Sequence, residues 1–482
     1  MEYEVVIGLE VHVKIRTESK MFCGCANRYG ASPNTLVCPV CMGMPGVLPV
    51  PNREAIRKTV LAGIMTNCEI ARYSKFDRKS YFYPDMPKNY QISQYDLPFC
   101  ERGGVSISGK GFSGEPLPEK VIGLTRIHLE EDVAKSTHFG THSGIDFNRA
   151  GGPLMEIVSE PDMRSADEAY AYLSELKRTM RYAGISECDM EKGELRCDVN
   201  ISVRPEGSDK LGVKIEVKNL NSFRSVHRSI NYERERQIEE LESGGSLRQE
   251  TRGWNDDLGE TYILRVKESE SDYRYFPEPD LTPITISEEF LEETRASAPE
   301  RPDDRRKRFM EEFGLPRYDA EVLTAEKEYA DYFEKAAEGA SKPKTVANWI
   351  ISELLAKAGE GGDGGSSLAA LGFPPERMAE LVGLIDDGTI SGKIAKSVFA
   401  EALESGESPK EIVERKGLRQ VTDSSEIEAF VAQAIADNPA QVEQFKAGNE
   451  KVLQYFVGQV MKLSRGKANP KMVVEILKRE LS

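Results

Sequence analysis

The sequence predicts an α+β protein: a large, mostly antiparallel sheet domain over residues 1–290, followed by two all-helical domains over 291–407 and 408–482. Three observations carry this expectation. Several segments alternate apolar and polar residues with the period of two that marks half-buried strands. Strands and helices do not alternate as strict βαβ units, which disfavours a parallel sheet. From about Ser287 the strand signal almost vanishes and helical periodicity takes over, as in "SEEFLEETRASAPERPDDRRKRFMEEFG".

In "VIGLEVHVKI", Val6 to Ile15, the apolar Leu9, Val11, Val13 and Ile15 alternate with Glu10, His12 and Lys14. A solvent face needs only solubility, and a carboxylate beside an imidazole is more than that. "GKGFSG", Gly109 to Gly114, matches a dinucleotide-binding glycine pattern, but the prolines of the following "EPLPEK" oppose the helix such a motif must open. It reads as a glycine-rich hairpin or loop. Ser165 and Glu168 form a capping box before "ADEAYAYLSELKRTMRYA", and Gly184 ends that helix. In "ELRCDVNISVR", Leu195, Cys197, Val199, Ile201 and Val203 face one way, and Glu194, Arg196, Asp198, Asn200, Ser202 and Arg204 the other. In "VKIEVKN", Val213, Ile215 and Val217 oppose Lys214, Glu216 and Lys218. A second helix runs from about Phe223 to Leu241 and stops at Gly244-Gly245. In the helical part, "AGEGGDGGSS" (Ala358 to Ser367) reads as a flexible loop, and "ESGESPKE" near 404–411 as a hinge into the last domain.

With 39% hydrophobic and 30% charged residues in 482, the composition is that of a soluble globular chain. No apolar run reaches the ~18 residues of a membrane span. The start "MEYEVVIG" enters a strand at once and resembles neither a signal nor a transit peptide, so a cytoplasmic location is expected. A formal charge of −16 argues against nucleic acid clinging to the whole body. Residues 452–482 reverse the sign, with six basic residues (Lys462, Arg465, Lys467, Lys471, Lys478, Arg479) against Glu475 and Glu480, a net of +4. Such a tail suits either local contact with a polyanion or a solvated helix face.

Four of the eight cysteines crowd into one stretch: Cys23 and Cys25 as C-x-C, then twelve residues, then Cys38 and Cys41 as C-x-x-C. Two close pairs across a loop suit a closed, structural zinc site. The rivals are a redox pair at Cys38–Cys41 and unliganded thiols.

The other chemistry lies on the polar strand faces: Glu10 and His12; His128, Glu130, Glu131 and Asp132 of "RIHLEED"; Glu156 in the apolar "GGPLMEIVSEPD"; Asp198; and Glu216. Carboxylates with an imidazole form a plausible magnesium set. The interleaved Arg196, Arg204, Lys214 and Lys218 are what phosphates need. "SKFDRKSYFYPDMPKNYQISQYD" mixes Arg78, Lys79 and Lys88 with Phe76, Tyr81, Phe82, Tyr83, Tyr90 and Tyr95, a composition able to hold phosphate and stack a base. Each of these faces could equally be solvated surface or, for the aromatic stretch, core. The residues alone do not reach a reaction.

A resemblance does. "VIGLEVHVKI", "SKFDRKSYFYPDMPKNYQIS", "RIHLEED", "GGPLMEIVSEPD", "LRCDVNISVRP", "EVKNLNSF", "DYRYFPEPDL", "NWI", "GTISGKIAK" and "GQVMKLSRGKANP" together resemble the B subunits of aspartyl/glutamyl-tRNA amidotransferases over essentially the whole chain. The resemblance implies transamidation of tRNA mischarged with glutamate or aspartate. ATP and magnesium would serve to phosphorylate the side-chain carboxylate, and ammonia would displace the phosphate. It implies an amidase subunit as ammonia source, a small belt-like third subunit, a first domain related to the glutamine synthetase fold, and a last domain that contacts tRNA. Carried over by position, the metal set is His12, Glu131 and Glu156, with Glu10, Asp198 and Glu216 close by, and Lys79 lies against phosphate with Tyr81 nearby. Strict alternation puts Glu130, not Glu131, beside His128, so the choice of Glu131 requires a bulge or strand end. Two other classes stay open: a tRNA-binding scaffold without chemistry, and a glutamine-synthetase-like ligase acting on a free amino acid.

Overall fold

The computed structural model describes residues 2–266, 273–359, 367–420, 424–446, 449, 451–464 and 467–481. The loop expected at 358–367 falls mostly outside them, as do Arg465 and Gly466 of the basic tail. Nine strands make one sheet in the order Glu260–Val266, Glu250–Asn255, Ile215–Leu220, Leu195–Pro205, Tyr3–Lys14, Pro153–Ser159, Pro116–Glu131, Cys100–Lys110 and Glu69–Ile70. Every pairing is antiparallel except that of Ile215–Leu220 with Glu250–Asn255. A parallel pair needs a crossover, and helix Phe223–Glu242 supplies it.

The alternation read from the sequence becomes a division of the sheet into two faces. Leu9, Val11, Val13, Ile127, Leu129, Met155, Ile157, Val199 and Ile201 are fully buried in one core. Helices Arg53–Met65, Ala166–Tyr182 and Phe223–Glu242 pack against that face. The polar face is left to build a site. Val213 departs from the expected pattern: the strand begins at Ile215, and Val213 is exposed ahead of it. Gly109–Gly114 is a hairpin tip between two long strands, as the prolines require. The capping box is only half formed. Ser165 accepts from Glu168 N at 3.1 Å, but the Glu168 carboxylate turns to Arg164 N at 2.8 Å and Lys120 Nζ at 2.9 Å.

The helix Phe223–Glu242 carries one buried charge that fixes it to the sheet edge. Glu233 accepts from Arg236 Nε at 3.0 Å and Gln237 Nε2 at 3.0 Å, and meets Arg252 Nε at 3.2 Å. Burial opposes the carboxylate's charge, yet Arg236, Thr261 and Gln237 hold it below the usual range near 4.5. Its folded pKa is depressed, so its stabilisation is present above the ordinary value and is lost as pH falls through the depressed one. Glu233→Ala takes from buried Arg252 one of its two carboxylate partners, leaving Glu250 at 2.8 Å, and removes the hydrogen-bonded carboxylate of Arg236. It is expected to cost about 3 kcal/mol in denaturant melts at neutral pH.

The chain divides into two compact units, Met1–Asp303 and Asp304–Ser482. Among its described residues the second unit is helical and has two separate apolar clusters. One is built on Phe309, Phe333, Phe373 and Phe399, the other on Ile427, Val431, Phe456, Val473 and Leu477. No helix among the described residues is long and apolar enough to cross a membrane.

Candidate active site

Cross-strand register assembles the polar face. In the antiparallel ladders, residues directly opposite one another share a face. His12 stands opposite Glu156 on one side and Arg196 on the other; Glu156 stands opposite His128; Glu10 stands opposite Asp198; and Asn200 stands opposite Glu216. Residues scattered from position 10 to 216 therefore form two adjoining rows.

In the first row, ligand atoms of His12, Glu130 and Glu156 all lie within 4.8 Å of one another. His12 Nε2 is 3.4 Å from Glu156 and 3.9 Å from Glu130. His128 Nε2 is 3.4 Å from Glu156 and 3.6 Å from Glu130. Burial opposes charge on His128, yet the two carboxylates push its pKa up to about 9. His12 is raised by the same pair against the same opposition. Burial also opposes charge on Glu156 and Glu130. His128 and His12 nonetheless hold Glu156 well below the usual carboxylate range, and His128 and Lys79 hold Glu130 low. Ser93 Oγ donates to Glu130 at 3.1 Å.

The structure does not bring Glu131 to this group. The register runs unbroken from Glu131 to Arg126 against Pro153–Val158, and the irregularity falls later, between Val158 and Ser159. The bulge expected at "HLEED" is absent, so alternation sends Glu131 the other way. There its carboxylate pairs with Lys88 and accepts from Ile92 N at 2.9 Å.

In the second row, Glu10, Asp198 and Glu216 also come within 4.8 Å. Lys218 joins them, pairing with Asp198 and with Glu216 at 3.0 Å. Burial opposes its charge, but Asp198 and Glu216 raise its pKa. Asn200 Nδ2 donates to Glu10 at 2.9 Å, and Thr251 Oγ1 to Glu216 at 2.9 Å. A cleft of about 410 Å³ opens over both rows, lined by His12, Lys79, Tyr81, Glu130, Arg196 and Lys218 among others. Lys79 stays charged: burial works against it, but Glu130, Tyr275 and Glu156 raise its pKa. Tyr81 is pushed up by burial and by Glu130, so its phenol is neutral. Arg196 is oriented by Asp132 at 2.8 Å. Arg204 is not in the cleft; it pairs with Glu4 at 2.7 Å.

A family model described as the GatB/GatE catalytic domain matches residues 5–292. The chain belongs to the GatB/GatE family. A second model, described as the GatB domain, matches residues 331–481. Among curated relatives, the B subunit of the aspartyl/glutamyl-tRNA(Asn/Gln) amidotransferase of Carboxydothermus hydrogenoformans is 51% identical over 486 residues, covering 100% of this chain and 99% of the relative. The protein of the same name from Persephonella marina is 53% identical over 478 residues, covering 99% of each.

This GatB/GatE-family chain holds one more constellation. The sulfurs of Cys23, Cys25, Cys38 and Cys41 lie within 4.8 Å of one another. None of the four is in a disulfide. A hydrogen bond from Cys23, helped by Cys38 N–H at 3.2 Å and Lys20 Nζ at 3.7 Å, draws Cys41 down to about 4 against its burial. Burial pushes Cys25 up to about 11. The loop also packs on the Lys88–Glu131 pair. A Cβ on Gly43, whose φ is +65°, would stand 2.4 Å from Lys88 Cγ, so only glycine lets the loop approach the lysine that holds Glu131.

Proposed function

We propose that this chain is the B subunit of an ATP-dependent aspartyl/glutamyl-tRNA amidotransferase, a ligase of protein biosynthesis that converts mischarged Glu-tRNA(Gln), Asp-tRNA(Asn) or both into the amidated form. Family membership and full-length similarity to proteins of that name support the reading. The observation that carries the chemistry is the His12–Glu130–Glu156 group, whose His12 and Glu130 line a cleft together with Lys79, Arg196 and Lys218.

Two carboxylates and an imidazole at this spacing, with His128 Nδ1 buried and unpartnered behind them, fit a magnesium ion held by His12, Glu130 and Glu156. Magnesium, when bound, offsets charge building on the transferred phosphoryl oxygens. Lys79, Arg196 and Lys218 grip the phosphates and orient the terminal one towards the substrate carboxylate. That carboxylate is a poor electrophile until phosphate replaces oxide as its leaving group. Tyr81, as a neutral phenol, can donate to the oxygen that gains charge when ammonia attacks. Glu10, Asp198 or Glu216 takes a proton from arriving ammonium, releasing the nucleophile. An amidase subunit supplies that ammonia, a small belt-like subunit joins the two, and the setting is cytoplasmic. The acyl-phosphate route is also that of glutamine synthetase, and a relation to its fold is part of this proposal. The four cysteines hold a structural zinc.

The test is ADP formation by the complex of this chain with its partner subunits. Dependence on mischarged tRNA supports the proposal. Equal stimulation by uncharged tRNA favours a scaffold, and stimulation by free glutamate favours a free-amino-acid ligase. The tail gives a separable expectation. Lys462 and Lys471 are exposed, on an otherwise acidic chain. Deleting residues 408–482 should weaken tRNA binding and flatten its salt dependence by about 0.7–0.9 per lost phosphate contact. Turnover at saturating tRNA should fall much less. Equal affinity and salt slope without the tail would make it a solvated appendage.

A further inference from the structure

The aromatic residues beside the cleft are more ordered than a core turn requires and more exposed than a core allows. Strand Asp77–Ser80 carries Lys79, and Phe276-Pro277 pairs with it antiparallel, Phe276 opposite Arg78 and Pro277 opposite Asp77. Ser80 N donates to Tyr273 O at 2.9 Å, one residue out of that register, and Arg274 has φ +47°, so the strand bulges at Tyr273–Arg274. The Phe276–Arg78 register sets Tyr275 opposite Lys79, and the bulge leaves the Tyr273 ring near the same lysine. Period two places Lys79, Tyr81 and Tyr275 on one face and Arg78 with Phe276 on the other.

The ring distances bring Tyr273 to the same group. Lys79 Nζ lies 5.0 Å from the Tyr273 ring centre, Tyr273 meets Tyr81 edge-on at 6.2 Å, and Tyr275 follows at 6.0 Å. Tyr95 then stacks on Tyr275, with centres 4.3 Å apart and planes 13° from parallel. The outermost ring is held in place. Tyr95 N donates to buried Asp77 at 3.2 Å, and Lys75 ties Asp77 to Asp96. On the opposite face, Arg78 lies over Tyr90 at 4.2 Å and binds both oxygens of buried Glu278, locking the two strands together. Despite this bracing, Tyr95 is 59% exposed. A braced, flat, exposed ring contributes little to the core. It offers a stacking face joined through Tyr275 and Tyr273 to Lys79, which lines the cleft.

We propose that the Tyr275–Tyr95 stack is the base-binding shelf of the site and receives an adenine ring joined to phosphate held near Lys79. This deepens the functional reading above and rests on it. Two sources carry that chemistry, ATP and the 3′-terminal adenosine of the tRNA. Stacking on tyrosine is tolerant of the base, so the shelf contributes affinity while the cleft sets the chemistry.

The experiment uses the full chain in complex with its partner subunits and measures binding of magnesium ADP, of magnesium pyrophosphate, and of tRNA with or without its terminal adenosine. Tyr95→Ala should weaken ADP by about fivefold or more and leave pyrophosphate unchanged, while Tyr95→Phe binds ADP like the wild type. If the ring belongs to tRNA, Tyr95→Ala instead leaves ADP unchanged and abolishes the difference between the two tRNAs. Unchanged ADP together with an unchanged tRNA difference overturns the shelf. So does a parallel loss of ADP and pyrophosphate, which marks a change in the phosphate site or the fold. A wild-type complex that binds neither ADP nor pyrophosphate removes the phosphate cleft, and the shelf with it.

Discussion

Replacing Glu130 with Gln lowers ADP formation on mischarged tRNA by about 10²-fold or more, whereas Glu131→Gln leaves it near the wild-type rate. The two glutamates are neighbours in sequence and opposites in space. Glu130 completes the group with His12 and Glu156, and Glu131 faces Lys88. Gln keeps the shape of the side chain but removes the charge that a cation and two imidazoles share. His12→Ala should lose activity to a similar degree. Circular dichroism and the melting midpoint separate this from unfolding. His128 would be left with Glu156 alone in Glu130→Gln, so a modest loss of stability is expected and a collapse is not. Comparable ADP formation in Glu130→Gln and the wild type, with a large loss in Glu131→Gln, would return the role to Glu131.

Freshly purified protein contains one zinc per chain, and Cys41→Ser loses most of it together with about 4 kcal/mol of stability. Cys41 is the buried residue of the four, and the contacts of its sulfur draw its pKa down to about 4. A serine there takes away the thiolate that the other three assemble around. Ligand thiols must lose their protons to bind metal, so zinc is released as pH falls. Burial and the neighbouring sulfurs push Cys25 up to about 11, so without metal it stays protonated at neutral pH and the loop loses its cross-link. Because Gly43 abuts Lys88, disorder in the loop should also loosen the Lys88–Glu131 pair. Full thiol reactivity at all four cysteines with no bound metal would refute the assignment.

The period-two strands and the helix from Phe223 are legible because side-chain alternation and glycine stops are local signals. The half-formed capping box is less so: Glu168 has a better partner in Lys120, 48 residues away, which local pattern does not reveal. The parallel pairing of Ile215–Leu220 with Glu250–Asn255 depends on the crossover helix folding back, also a tertiary choice. In the site, Glu10, His12, Asp198 and Glu216 can be found because polar faces are visible one strand at a time. Which of them meet depends on register, and register depends on pairing between strands more than a hundred residues apart. Glu130 illustrates the difficulty. Alternation places it on the His128 face, and the family position at Glu131 prevails only with a bulge that the structure lacks. Asn200 sits on the same polar face and is readable there. Ser93 and Thr251 reach the carboxylates only through tertiary folding and leave no local signal.

The central claim is that the side-chain carboxylate of the tRNA-bound amino acid is activated by phosphorylation in the His12–Glu130–Glu156 cleft. It is tested most directly by charging tRNA with glutamate labelled with ¹⁸O in the side-chain carboxylate and supplying ATP and ammonia to the complex. The account predicts one ¹⁸O in the inorganic phosphate for each amide formed, and none in phosphate from the Glu130→Gln complex beyond its residual turnover. Amide formation accompanied by unlabelled phosphate would contradict it.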